Sequence, residues 1–91
     1  MANASVSLMA IQHAESICQT AIAELNTSTK KLSTRYQEAG ERWRDDKYKQ
    51  LGVIIGDSAR AMKSPIDELF ECIAKLQEME KAIVEYQSTN F

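Results

Sequence analysis

Ala39-Gly40-Glu41-Arg42-Trp43-Arg44-Asp45-Asp46 is the one stretch in which this chain stops reading as helix. Gly40 is a natural residue to follow a helix end, because it can take positive φ without a Cβ penalty. Asp45 or Asp46 can accept bonds from the free N–H groups of a second helix and match its positive end. On the N-terminal side, Leu8, Ile11, Cys18, Ile22, Leu25, Leu32 and Tyr36 step by three, four or seven and form one stripe. Small residues Ala14, Ala21 and Ser28 flank that stripe, and Ser5 or Ser7 is the expected N-cap. On the C-terminal side a second stripe runs through Tyr48, Leu51, Ile55, Met62, Leu69, Cys72, Leu76, Met79, Ile83 and Tyr86. Pro65 interrupts it. Ser64-Pro65-Ile66-Asp67 can restart a helix, but the stripe continues in phase, which favours a kink.

The expectation is an all-α fold, a single helical-hairpin domain over residues 1–91. Helix 1 covers about 5–39, the turn 40–45, helix 2 about 46–86, and 87–91 form a polar tail. A connection of about six residues makes the helices antiparallel. A turn centred near Trp43 then pairs residues whose numbers sum to roughly 87, setting Leu32 against Ile55, Leu25 against Met62, Cys18 against Leu69 and Ile11 against Leu76. Such a hairpin is about 50 Å long at ~1.5 Å per residue. Only three glycines and one proline stand in 91 residues, too few for turn-connected sheets or a phosphate-binding loop. Two helices alone cannot close a large core, so the hairpin is expected to pair with a partner. Ile54, Ile66, Phe70 and Ile73 widen the second stripe and are the expected interface. No internal repeat or low-complexity tract stands out.

Chemistry has little to work with. His13 is the only histidine and has no second ligand or base placed to share its work. The acids are dispersed and are not expected to form a paired-carboxylate site, so neither an enzyme nor a metal or cofactor site is expected. Cys18 and Cys72 make no CxxC motif. Across the antiparallel seam they form either two buried thiols acting as small apolar residues or, after export, an interhelical disulfide. A net charge of -2 argues against a nucleic-acid binder, although Arg42-Trp43-Arg44 and Lys47-Tyr48-Lys49 interleave cations with aromatics. Charge is uneven: residues 30–63 hold nine Lys/Arg against five acids, and residues 64–91 hold six acids against Lys75 and Lys81. No run reaches the roughly 18 to 20 apolar residues of a membrane span, and Met1-Ala2-Asn3-Ala4 lacks the basic start of a signal peptide. The expected location is cytoplasmic, or outside the cell by a leaderless route. Trp43 either caps the bundle end against Tyr36 and Tyr48 or anchors a partner.

The chain resembles the WXG proteins, the small early-secreted-antigen-like hairpins of type VII secretion. Trp43-Arg44-Asp45 stands where that family has Trp-Xaa-Gly, with Asp45 replacing the glycine. Leu51, eight residues past the Trp, stands where the family places a large apolar residue. Tyr86-Gln87-Ser88-Thr89-Asn90 echoes the export signal Tyr-Xaa-Xaa-Xaa-Asp/Glu, with Asn90 replacing the acid. The likeness covers the whole chain in architecture and two or three residues in motif. It implies a non-enzymatic protein that forms a homodimeric or heterodimeric four-helix bundle. Its partner would be a second small helical protein or a toxin's N-terminal helical domain, and it would be secreted or would guide the toxin to a secretion ATPase. The alternative is a cytosolic coiled-coil adaptor or chaperone in which Trp43 and Tyr86 only pack.

Overall fold

In a computed structural model, which describes residues 4–89, the chain is an antiparallel helical hairpin. Helix α1 spans Ala4–Ala39, α2 spans Asp46–Ala61 and α3 spans Lys63–Thr89, and no strand occurs among the described residues. The rod measures 71 × 19 × 16 Å. It exceeds the expected 50 Å because the second arm, residues 46–89 with Met62 between its helices, runs 44 residues, about 65 Å at ~1.5 Å each. Helix α3 also continues through 87–89, which the sequence reading assigned to a polar tail. Helix α1 already includes Ser5 and Ser7, so neither is a flanking cap.

Proline bends the second arm without separating it. Pro65 has no N–H to give to the carbonyl of residue 61, and regular helix lapses at Met62, whose backbone stays right-handed at φ -70°, ψ -18°. Met62 N–H still donates to Ser58 O at 3.1 Å, and Ile66 N–H to Met62 O at 3.2 Å, so the ladder passes through the bend. The Thr27–Thr29 stretch is also accommodated: Thr29 Oγ1 donates to Leu25 O at 2.8 Å within the helix.

The hairpin closes on two tyrosines. Tyr36 and Tyr48 stack face to face, with ring centroids 4.2 Å apart and planes within 4°. Tyr36 Oη donates to Tyr48 O at 3.1 Å, and Tyr48 Oη donates to Tyr36 O at 2.9 Å. Each ring lies over a glycine of the facing helix: the Tyr36 hydroxyl occupies the space a Cβ on Gly52 would need, and the Tyr48 hydroxyl that of Gly40. Gly40 is therefore required by packing and not by backbone angle, since no described glycine has positive φ. The end of α1 tightens instead through Glu41 N–H to Glu38 O and Arg42 N–H to Ala39 O, and the Arg44 guanidinium donates to Gly40 O at 2.7 Å. Tyr36-x-x-x-Gly40 and Tyr48-x-x-x-Gly52 thus form a short repeat about the turn.

Away from the clasp the pairing drifts. Gln12 Nε2 reaches Glu80 Oε1 at 3.5 Å, while 24 residues later Tyr36 lies between Tyr48 and Gly52. Over that interval the second arm spends 28 to 32 residues to α1's 24, so no constant sum holds. The surplus is taken up around α2, which touches α1 sparsely, whereas α3 packs along it. The buried core is correspondingly small. Cys18, Ile22 and Ile73 pack together, with Ile66, Leu69 and Leu76 against them, and Ile11 is buried nearer the open end.

Alanine substitutions separate packing from helix propensity. At an open helical site Ala is favoured over Gly by roughly 0.8–1 kcal/mol. Gly56 faces only the Arg60 guanidinium at 3.6 Å, so Gly56→Ala should raise the melting temperature. Gly52→Ala should lower it, by about 1–3 kcal/mol of stability, because the new methyl displaces a ring held by stacking and two hydrogen bonds. Thermal denaturation followed by circular dichroism checks both signs.

Candidate functional site

Three regions carry the side chains that can act on something outside the fold. The first is the turn. Asp45 has extended backbone (φ -88°, ψ -174°) and its Oδ1 accepts from Tyr48 N–H at 3.0 Å, so it caps α2 as expected. That bond, with further bonds from the Trp43 side chain and Lys47 N–H, holds the Asp45 carboxyl below its ordinary pKa. Trp43 packs at a 60° tilt on Tyr48, centroids 5.5 Å apart, and remains 40% exposed. It is both a packing residue and an accessible one. Leu51 lies on α2 at the edge of exposure.

The second region is the flank of the hairpin. Ile54 and Phe70 are exposed at 61% and 55%, but Ile73 is buried in the seam and Ile66 half-buried against it. The expected four-residue strip therefore does not exist as one surface. Helical phase explains why: Ile66 and Ile73 are seven apart and share the inner face, whereas Ile54 and Phe70 are separated by about 4.4 turns and flank the seam on opposite sides. Ile17, Met79, Val84 and Tyr86 add to the exposed apolar surface. Beside α2 an apolar crevice of about 230 Å³ opens between Leu25, Leu32, Ile55 and Met62, the pairs that the sequence reading set against each other.

The third region is the open end. Tyr86 is 65% exposed near the end of the rod opposite Trp43, and Asn90 lies outside the described residues. Here Glu15 of α1 meets Glu80 of α3, a pairing that the dispersed acids of the sequence did not suggest. Burial, then the hydrogen bond and charge of Glu80, push the Glu15 carboxyl above its ordinary pKa, and Glu15 Oε1 is buried without a hydrogen-bond partner. Gln12, on Glu80, and Gln77, Lys81 and Glu85, in the same groove, are other polar groups beside the pair. The pairing is legible only once the register is known, because 65 residues separate the two acids.

Among the described residues no group of three or more His, Cys, Asp or Glu side chains could hold a metal ion. No described helix is long and apolar enough to cross a membrane. Cys18 is buried and Cys72 exposed, and both are free thiols. No protein-family model, curated protein or solved structure matches the chain.

The raised Glu15 pKa fixes a pH dependence. A carboxyl that holds its proton more tightly when folded adds nothing unfavourable below the unfolded value near 4.5, and costs stability as pH rises through the higher folded value. Glu15→Gln should therefore melt above the parent at pH 7, with the difference closing by pH 4. Paired thermal melts at the two pH values measure it.

Proposed function

We propose that this chain is a non-enzymatic type VII secretion substrate or targeting partner that works by helix-on-helix contact. Its hairpin lies against a second hairpin, either another copy, another small helical protein or a toxin's N-terminal helical domain, to form a four-helix bundle. The observation that carries this reading is the imbalance between inside and outside. Among the described residues four apolar ones are buried, while Ile17, Ile54, Phe70, Met79 and Tyr86 are each more than half exposed. Large side chains on both flanks of one seam are more surface than a lone rod normally leaves in water. A second hairpin laid alongside would cover such a flank over the length of the rod.

The turn supports the resemblance on which the secretion role rests. Asp45 replaces the family's glycine at a position with φ -88°, which any residue can adopt. The carboxylate gives α2 a cap that a glycine side chain could not. The departure from Trp-Xaa-Gly thus costs the turn nothing. Trp43 keeps an exposed face at one end of the rod and Tyr86 at the other. In the proposed role Tyr86 is read by a secretion ATPase, and the missing charge at Asn90 is supplied by the partner's own signal.

A second reading is a cytosolic coiled-coil adaptor or chaperone without a secretion role. The tilt of Trp43 onto Tyr48 favours it, since that packing already gives the Trp a structural use. Co-expression with neighbouring type VII components and fractionation of the culture supernatant separates the two readings. Secretion requires the protein in the supernatant in an ATPase-dependent manner, and retention under those conditions contradicts it.

The assembly is tested independently of export. Sedimentation equilibrium at micromolar concentration should give about twice the 10.2 kDa of one chain, alone or with its partner. Phe70→Asp should weaken the assembly by about 2–4 kcal/mol, because it places a charge in a desolvated contact. A helical 10 kDa species, indifferent to Phe70→Asp and to added partner, contradicts the assembly.

A further inference from the structure

Cys18 and Cys72, which the sequence places within about a turn of each other across the seam, are set opposite one another by the drift in register. Gln12 meets Glu80 at the open end, and Tyr36 lies between Tyr48 and Gly52 at the closed end. Interpolating along α1 places position 18 opposite about position 72. The core agrees, since Cys18 packs with Ile73, the next residue after Cys72. Burial first, then the hydrogen bond and charge of the neighbouring Cys72 thiol, push the Cys18 pKa up. The two sulfurs nevertheless differ in access: Cys18 is 9% exposed, whereas Cys72 is open to solvent. Neither the bundle contact nor the tail uses this pair.

We propose that Cys18 and Cys72 form an ordered redox pair, oxidised to an interhelical disulfide by a small disulfide of the glutathione class that reacts first at Cys72. In the first step the Cys72 thiolate, having given its proton to solvent, attacks one sulfur of the oxidised tripeptide. The tripeptide's S–S bond breaks, a Cys72–glutathione bond forms, and one glutathione thiolate leaves and takes up a proton. In the second step the Cys18 thiol loses its proton and its sulfur attacks the Cys72 sulfur, displacing the second glutathione. Two protein thiols are oxidised and one small disulfide is reduced to two thiols, so no further oxidant is needed. Access sets the order, because a bulky disulfide reaches exposed Cys72 and not the buried Cys18 packed with Ile22 and Ile73. The product ties α1 to α3 halfway down the rod and encloses the turn, adding a second anchor below the tyrosine clasp. Phe70, two residues from Cys72, points from a different side of α3 and stays unaltered.

The test treats the full chain with oxidised glutathione, quenches with an alkylating agent and maps the products by mass spectrometry. The parent should lose two hydrogens and yield a Cys18–Cys72 linked peptide within one chain. Cys18→Ser should stop at one glutathione on Cys72, formed at least about tenfold faster than any adduct on Cys18 in Cys72→Ser. A mixed disulfide persisting at Cys72 in the parent, a Cys72–Cys72 link between chains as the main product, or equal rates in the two variants would overturn the proposal. Mapping the parent needs no variant, so a Cys18→Ser chain that fails to fold leaves the linkage decisive.

Discussion

Two aromatic rings, each lying where the opposite helix has no Cβ, hold the two arms of this rod at one fixed separation. The Tyr36 and Tyr48 hydroxyls do not search for partners on mobile side chains. Each donates to the backbone carbonyl of the other tyrosine, so the hydrogen bonds and the stacking require the same approach. That approach is available only because residues 40 and 52 are glycines. Turn chemistry then follows from the clasp. With the arms held, α1 winds down through short-range bonds, Arg44 covers the carbonyl of Gly40 just beyond it, and Asp45 opens α2. Position 45 needs no left-handed backbone, so the chain can carry an acid there.

From that fixed point the rest of the rod is a compromise between length and contact. The second arm has more residues than α1 can match, and Pro65 lets it bend without losing its ladder. Contact is recovered along α3, where Cys18, Ile22 and Ile73 form the dry centre, and is thin beside α2, where the crevice opens. Near the open end the seam brings two carboxylates together instead of apolar groups. Contact is thereby close at the clasp itself and along α3, and thinnest between them, beside α2. A rod built this way has little interior to lose and much apolar flank to cover, which is the physical basis for reading it as half of a bundle.

Much of this was legible from residues alone. The two helical arms, the break at Gly40–Asp45, the Asp45 cap and the bend at Pro65 all follow from local rules of spacing, capping and missing donors, whereas stripe members such as Leu32, Met79 and Tyr86 lie exposed. Local rules failed where the answer depended on the facing helix. Gly40 looked like a left-handed terminator, yet what it accommodates is a ring twelve residues from the ring over Gly52; the repeated Tyr-x-x-x-Gly was the signal. Ile73 looked like part of an outer strip because a stripe's width does not say which edge is innermost. Glu15 and Glu80 looked like solvated acids because a constant register does not bring them together. Trp43 has a neighbour in Tyr48 and keeps an open face, and packing of this kind is legible from a Trp between two tyrosines.

The central claim is that one chain folds back on itself and presents its flanks as a closed hairpin. Spin labels at the exposed positions His13 and Glu78, in a chain whose two native cysteines are replaced by alanine and diluted with unlabelled protein, test it most directly by double electron–electron resonance. The account predicts a single narrow distribution at roughly 20 Å, as two helices packed 8–10 Å apart with outward labels require. A dominant population beyond roughly 60 Å, or a short distance that vanishes on dilution with unlabelled chain, would mean that the arms pair between molecules and not within one.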